Sequence, residues 1–313
     1  MSLAFVFPGQ GSQSIGMMGG LAKVSPVIEA TFAEASAVLE YDLWQRCQDG
    51  PPELLNSTEC TQPAMLTAGV ASYRLWRERG GKMPTLMAGH SLGEFTALVA
   101  AGSLDFKTAV DLVKYRGALM QAAVPPGEGA MAAILGLEDM DIEEACTEAS
   151  QGQVVEAVNF NAPGQVVIAG EAAAVARAIA IATSKGARRA LALPISVPAH
   201  SSLMQPAADQ LRVRLESTAF APPAGVAVYG VDVKTHTNAD AIRAALVKQL
   251  YTPVYWAATV RTMIAAGATQ IVECGPGKVL TGLNRRVDKN RDLKMIALEE
   301  PAAFDDALAG LRL

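Results

Sequence analysis

The sequence predicts an α/β fold, and three observations support this class. Leu3–Phe7 and Leu86–Gly89 are short apolar runs that end at turn or glycine residues, which is typical of buried strands in a parallel sheet. Between and after them lie stretches in which apolar residues recur every three or four positions, the spacing of one helix face. Strands that alternate with helices in this way favour an α/β core.

The remaining elements of this core follow in chain order. Helices are predicted at Thr61–Arg79, Leu92–Ala101 and Asp105–Val124. Further strands, which would complete the sheet, are predicted at Val226–Gly230, Gln270–Glu273 and Lys294–Ala297.

Residues 130–193 have a pattern of their own. The predicted order is strand, helix, strand, strand, helix, strand, at Ala130–Leu135, Glu138–Ala149, Val154–Val158, Gln165–Ala169, Glu171–Lys185 and Arg189–Leu193. This βαββαβ order is the ferredoxin-like motif. Turn residues precede it at Pro125–Gly127 and follow it at Pro194. We therefore predict a ferredoxin-like subdomain, residues 126–194, inserted into a discontinuous core of residues 1–125 and 195–313.

Composition narrows the class of protein. The 313 residues are 50% hydrophobic and 18% charged, with a net charge of −5. Proteins that bind nucleic acid carry a basic excess that this chain lacks, so no nucleic-acid partner is expected. Neither Met1–Pro8 nor any later apolar run predicts an export signal or a membrane span. We expect a soluble, monomeric protein of the cytoplasm.

The cysteines and histidines predict no metal or organic cofactor. The four cysteines, Cys47, Cys60, Cys146 and Cys274, are too widely spaced for a metal site or a dense disulfide framework, which fits a reducing cytoplasm. The three histidines are scattered and no acids cluster with them. Cys274 is interpreted as a small buried residue rather than a nucleophile.

The strongest chemical motif is Gly89-His90-Ser91-Leu92-Gly93, a G-x-S-x-G pattern between an apolar strand and a helix. In such an elbow the glycines permit a tight turn that exposes the serine hydroxyl at a helix N-terminus. The free amides there favour the negative charge that develops on an attacked carbonyl oxygen. The motif predicts a nucleophilic Ser91; a plain glycine-rich turn with a capping serine is the alternative.

A nucleophilic serine needs a base, and His90, His200 and His236 are the candidates. His90 adjoins Ser91 and should point to the opposite side of the strand end. His236 lies in a polar stretch that resembles a solvated loop. His200 follows an apolar run at the point where the chain re-enters the core, so we prefer it as the base. No acid is marked as a third member.

The loop Phe7–Gln13 leaves the first predicted strand, where an α/β core places ligand-binding turns. It has neither the lysine of a P-loop nor the spacing of a dinucleotide fingerprint. The backbone amides of Gln10 and Leu92 could together form an oxyanion hole, and a simple tight turn is the alternative.

Arg116 lies on a predicted helix among apolar residues. The residues alone favour a surface arginine whose stem packs against the protein. The alternative is a guanidinium aimed at a carboxylate inside a pocket.

Taken together, the motifs resemble those of the bacterial malonyl-CoA:acyl-carrier-protein transacylases of fatty-acid synthesis. The matching stretches span nearly the whole chain: FPGQGSQ from Phe7, QPA from Gln62, GHSLGE from Gly89, RG at Arg116, NFNAPGQVVIAG from Asn159, VPAHS from Val197 and ECGPGKVLTGL from Glu273. Ala199 departs from the pattern, because many relatives have serine before the histidine. The resemblance implies an α/β-hydrolase-like core with a parallel sheet.

The resemblance also implies a role for each site residue. Ser91 would be the nucleophile, His200 the base, and the Gln10 and Leu92 amides the oxyanion hole. Arg116 would pair with the malonyl carboxylate, which reverses the interpretation from the residues alone. The backbone carbonyl of Gln249 would orient His200. Met120 and Asn159 would lie near the pocket.

The implied reaction transfers malonyl from malonyl-CoA to the phosphopantetheine thiol of acyl carrier protein through an acyl-Ser91 intermediate. The carrier is acidic in this family, and the candidate basic residues that would receive it are Lys185, Arg188, Arg189, Lys278, Arg285 and Arg286. A serine hydrolase or thioesterase, a non-catalytic acyl-thioester or carrier-protein binding module, and a polyketide-pathway enzyme are the alternatives.

Overall fold

A parallel sheet with the first strand at its centre forms the larger part of the molecule. The computed structural model describes residues 2–309. The strands are β1 (Ser2–Phe7), β2 (Leu86–Gly89), β7 (Ala227–Tyr229), β8 (Ala268–Glu273) and β9 (Lys294–Ala297). Their order in the sheet is β7-β2-β1-β8-β9, and every neighbouring pair is parallel.

Helices cover this sheet. In chain order they are α1 (Gly19–Ala22), α2 (Val27–Leu39), α3 (Leu43–Asp49), α4 (Pro52–Asn56), α5 (Thr58–Glu78), α6 (Gly93–Ala100), α7 (Phe106–Ala122), α10 (Gln205–Glu216), α11 (Ala239–Gln249), α12 (Trp256–Ala265), α13 (Val279–Val287) and α14 (Pro301–Ala309). A short 3₁₀ turn, Ser202–Met204, precedes α10.

Helix α5 has more buried residues than any other of these helices, because it is long and apolar or small residues occupy most of its circumference. It packs against the central strand, where Phe5 makes edge-to-face contacts with the rings of Tyr73 and Trp76. Gly69 of α5 has no room for a side chain, since an added Cβ would lie 2.6 Å from Thr96. This close packing fixes α5 and α6 on the same side of the sheet, beneath the loops that leave β1 and β2.

A second, antiparallel sheet lies between α7 and α10 in sequence. Its strands are β3 (Gly129–Leu135), β4 (Val155–Ala162), β5 (Gln165–Glu171) and β6 (Arg189–Ala192), in the order β4-β5-β3-β6. Helices α8 (Asp139–Ser150) and α9 (Ala172–Ser184) contribute to a separate apolar cluster with these strands. The strand β4 also bonds to the larger part, since Val254 donates to Val158 O at 2.8 Å and Phe160 donates to Val254 O at 2.9 Å.

The predicted α/β class with a parallel sheet is confirmed, with the antiparallel sheet as a separate unit. Strand β4 runs to Ala162 instead of ending at Val158, because its pairing with β5 continues through two irregular registers. Met1 and residues 310–313, which the predicted core includes, lie outside the described residues. Within residues 2–309, no helix has the length and apolarity needed to span a membrane.

Candidate active site

Ser91 sits in a sharp turn between β2, which ends at Gly89, and α6, which begins at Gly93. Its φ of 51° is left-handed, a conformation that a serine adopts only under constraint. The turn is tight enough that only glycine fits at positions 89 and 93. A Cβ on Gly89 would lie 1.8 Å from Gly93 C, and a Cβ on Gly93 would lie 2.0 Å from Phe7 O. The turn therefore has the strand–turn–helix geometry that the motif predicts.

His200 faces Ser91 from a distant part of the chain. Its Nε2 lies 2.8 Å from Ser91 Oγ, and its Nδ1 lies 2.7 Å from the backbone oxygen of Gln249. A carbonyl oxygen can only accept, so Nδ1 carries the proton and the unprotonated Nε2 accepts from the serine hydroxyl. This is the tautomer that a general base requires.

The Gln249 carbonyl is available because Gln249 is the last residue of α11, where helix carbonyls have no partner in the next turn. The backbone amide of His200 donates to Leu250 O at 2.9 Å, which holds the histidine against the same helix end. Burial, with the charge of Arg116 nearby, lowers the pKa of His200 to about 3. The imidazole is therefore neutral at physiological pH.

Arg116 is buried, so the interpretation of a surface arginine was wrong; its side chain is only 1% exposed. Its Nη1 donates to Gln62 Oε1 at 2.8 Å, and its Nη2 donates to Gln249 Oε1 at 2.9 Å and to Ser91 Oγ at 3.3 Å. Its Nε has no partner among the described residues. Burial lowers the pKa of Arg116 to about 10, which leaves it cationic at neutral pH. Helix periodicity could not reveal this, because the face that carries Arg116 lines a cavity.

Gln62 and Glu94 belong to this network, and sequence reasoning assigned no role to either. Gln62 Nε2 donates to the sulfur of Met120 at 3.3 Å, so the same amide contacts Arg116 and Met120. Glu94 accepts from Gln249 Nε2 at 2.7 Å, and burial raises its pKa to about 7. Both residues stand inside the QPA and GHSLGE stretches, but a buried polar residue shows its role only through partners far away in sequence.

The amides of Gln10 and Leu92 both border the site. Among residues 2–309, neither amide donates to a backbone or side-chain acceptor. The loop that carries Gln10 is held in place by Gln13, which accepts from the Gly11 amide at 2.7 Å and donates to Asn56 at 2.9 Å. Two free amides at the cavity wall can receive an anionic oxygen.

A single cavity of about 450 Å³ brings these groups together. It lies between the two sheets, with the polar elbow on one side and apolar residues such as Met131, Val167 and Leu193 on the other. Met120 and Asn159 line it. Asn159 Oδ1 is buried without a partner among the described residues, which leaves an acceptor free for a ligand.

The other two histidines lie in different surroundings. His90 Nε2 bonds to Asn161 Oδ1 at 2.8 Å and the ring packs on Trp256, so it does not contact the Ser91 hydroxyl. His236 lies in a loop and contacts Asp232 at 3.2 Å. Cys274 is fully buried, and burial raises the pKa of its thiol. Among the described residues no three or more His, Cys, Asp or Glu side chains cluster as metal ligands would.

Comparison with known proteins places this chain in a family. A family model described as "Acyl transferase domain" matches residues 4–298. The chain belongs to this family. A curated relative from Escherichia coli K12, named malonyl CoA-acyl carrier protein transacylase, is 58% identical to this chain over 97% of this chain and 98% of its own length. A relative of the same name from Bacillus subtilis 168 is 42% identical over 99% of this chain and 97% of its own length.

Solved acyl transferase domains have the same fold. A malonyl-transacylase in complex with a type II PKS acyl-carrier protein has a TM-score of 0.97 and 54% identity, covering 99% of this chain and 100% of that chain. The malonyl CoA-acyl carrier protein transacylase of Coxiella burnetii has a TM-score of 0.96 and 47% identity, and the match covers 99% of this chain and 97% of that chain.

The six candidate basic residues are all exposed. Three of them already have partners: Lys185 pairs with Glu144 at 2.8 Å, Arg285 donates to Met295 O at 3.2 Å, and Arg286 donates to Gln165 at 2.5 Å. Of these three, only Lys185 forms an ion pair with a carboxylate. The two arginines bond to neutral oxygens and keep a net positive charge on the exposed face of α13.

Proposed function

We propose that this chain transfers the malonyl group of malonyl-CoA to the phosphopantetheine thiol of acyl carrier protein, in fatty-acid synthesis. The observation that carries the proposal is the convergence of Ser91, His200 and Arg116 at hydrogen-bond distance in one cavity. A nucleophile and base alone would serve any acyl transfer. The buried cation beside them favours an acyl group that ends in a carboxylate.

The first half-reaction forms the acyl-enzyme. His200 Nε2 takes the Ser91 proton as Oγ attacks the thioester carbonyl carbon. The oxygen of the tetrahedral intermediate becomes anionic and accepts from the Gln10 and Leu92 amides. When the C–S bond breaks, the CoA sulfur receives the proton from His200. Malonyl then remains on Ser91 as an ester, and His200 is neutral again.

The second half-reaction is the reverse with a different thiol. The phosphopantetheine thiol loses its proton to His200 and its sulfur attacks the ester carbonyl. The C–Oγ bond breaks, and His200 returns the proton to Ser91. The Gln249 carbonyl keeps the proton on Nδ1 through both steps, because it accepts from Nδ1 whether or not Nε2 is protonated.

Selectivity rests on Arg116. Nη1 gives one hydrogen to Gln62 and keeps a second that can donate to the malonyl carboxylate, while Nε is a separate donor without a partner among the described residues. An acetyl group has no such acceptor and leaves a buried donor unpaired, a penalty of about 1–3 kcal/mol. Met120 and Asn159 shape the rest of the pocket.

The test is a transfer assay with malonyl-CoA and carrier protein that bears its phosphopantetheine. We expect malonyl-carrier protein as the main product and little free malonate. Carrier protein without the phosphopantetheine is the matched control and should receive nothing. Free malonate as the main product would instead show a hydrolase or thioesterase, and CoA retained without turnover would show a binding module.

Three further expectations accompany the function. Residues 126–194 form a ferredoxin-like subdomain in a hydrolase-like core of residues 1–125 and 195–313, which the βαββαβ order of β3 to β6 supports. The four unpaired, buried cysteines support a location in the reducing cytoplasm. The chain is monomeric, as light scattering can test.

A further inference from the structure

Glu94 is a buried carboxylate that stands beside the site without lining the cavity. It lies in the first turn of α6, three positions after Ser91. Its Oε2 accepts from Gln249 Nε2 at 2.7 Å and from the Val231 amide at 3.2 Å. A carboxylate in this position contacts no reacting atom, so any influence on the reaction must pass through its partners.

The partner that matters is Gln249, whose side-chain amide is fully engaged. Its Nε2 donates to Glu94 and also to Ser91 O at 3.1 Å, and its Oε1 accepts from Arg116 Nη2 at 2.9 Å. Turning the amide over would aim its NH₂ at a guanidinium that can only donate. The orientation shown is therefore the one that holds Arg116, and Glu94 is one of two acceptors that select it.

We propose that Glu94 is a positioning residue, which fixes the Gln249 amide and thereby aims the Arg116 guanidinium at the substrate carboxylate. The inference rests on the proposed function, because it takes Arg116 as the carboxylate-binding group. Glu94 acts through the location of its oxygen, not through its charge. His200 depends on the backbone oxygen of Gln249, which the end of α11 holds independently.

Two conservative variants separate position from charge. Glu94→Gln keeps an oxygen where Gln249 and Val231 need one and removes the charge. Glu94→Asp keeps the charge and withdraws the oxygen by one methylene. The measured quantity is the rate of CoA release in the first turnover, with malonyl-CoA and with acetyl-CoA, for each variant and for the unaltered chain.

We expect Glu94→Asp to lower the malonyl-to-acetyl rate ratio roughly tenfold, because Arg116 would bind the malonyl carboxylate less well. A tenfold change corresponds to about 1.4 kcal/mol, and a hydrogen bond to a charged group is worth about 1.5–3 kcal/mol. The acetyl rate should change little, because acetyl makes no use of Arg116. Glu94→Gln should keep the ratio within about twofold, a change of less than ~0.5 kcal/mol. A loss of folded protein would lower both rates alike and leave the ratio unchanged.

Glu273→Asp is the matched control. Glu273 is also buried, and its oxygens accept from the amides of Leu280 and Thr281 at 3.0 and 2.7 Å. This variant should lose thermal stability and keep the ratio. An unchanged ratio in Glu94→Asp, or a loss in Glu94→Gln as large as that in Glu94→Asp, would overturn the inference and leave the proposed function standing. Failure of the unaltered chain to release CoA from malonyl-CoA would overturn the proposed function itself.

Discussion

His200 Nε2 and Ser91 Oγ meet at 2.8 Å although the two residues are 109 positions apart. Both have left-handed backbone conformations, with φ of 67° at His200 and 51° at Ser91. Such conformations are costly for non-glycine residues and persist where the surrounding structure imposes them. The β2–α6 turn constrains one residue and the end of α11 holds the other. The hydrogen bond between them is therefore a consequence of the fold as a whole.

Substitution of Gly93 should disrupt this relationship. A Cβ at Gly93 would lie 2.0 Å from Phe7 O, a backbone atom that cannot move without β1. We expect Gly93→Ala to lower the free energy of unfolding by about 1–3 kcal/mol, measured in urea, and to slow acylation. Gly282, in α13, has open space at its Cβ, so Gly282→Ala is the control and should be neutral or stabilising. Equal stability of the two variants would contradict the elbow geometry.

Removing the guanidinium of Arg116 should change selectivity more than stability. Arg116→Met keeps the apolar stem and is expected to lower the malonyl acylation rate about 10- to 100-fold, the equivalent of a lost charged hydrogen bond. The acetyl rate should not fall by the same factor. Arg74→Ala, which removes a half-exposed arginine paired with Glu34, serves as the control. A parallel loss for both substrates would argue against carboxylate recognition.

The stability of the protein should depend on His200 in acid. Its pKa is about 3 when folded and near the ordinary 6.5 when unfolded, so between these values the unfolded chain binds more protons. Stability should therefore fall as the pH falls below 6.5. At pH 5 the loss from this residue is about 2 kcal/mol. Urea unfolding at pH 7.5 and pH 5 measures it: the unaltered chain should lose about that much more than His200→Gln. The same loss in both would show that His200 is not the source.

Charge reversal on α13 should affect the second half-reaction alone. Arg285 and Arg286 are exposed and bond to neutral oxygens, so their charge remains free for an acidic partner. Arg285→Glu and Arg286→Glu are expected to weaken the use of carrier protein, raising its KM, and to leave acylation by malonyl-CoA unchanged. The difference should shrink at high salt. An equal loss in both half-reactions would refute the docking role.

The sheet and its elbow could be predicted from the sequence because they depend on local patterns. Apolar runs mark β1 and β2, and Gly89 and Gly93 bracket Ser91 at the spacing that a tight turn needs. Arg116 could not be placed this way, because an arginine among apolar helix residues is compatible both with a surface position and with a cavity.

Glu94 and Gln249 show why the rest of the site required the structure. Their side chains meet across 155 positions of sequence, and the contribution of Gln249 to His200 comes from a backbone oxygen that every residue type possesses. The resemblance to known transacylases supplied that role; spacing and composition alone could not.

The most direct test of the account is the intact mass of the protein after brief exposure to malonyl-CoA without acceptor. We predict a malonyl adduct that is absent from Ser91→Ala and disappears when carrier protein with its phosphopantetheine is added. Release of free malonate without a lasting adduct, or an adduct that survives in Ser91→Ala, would contradict a malonyl transfer through Ser91.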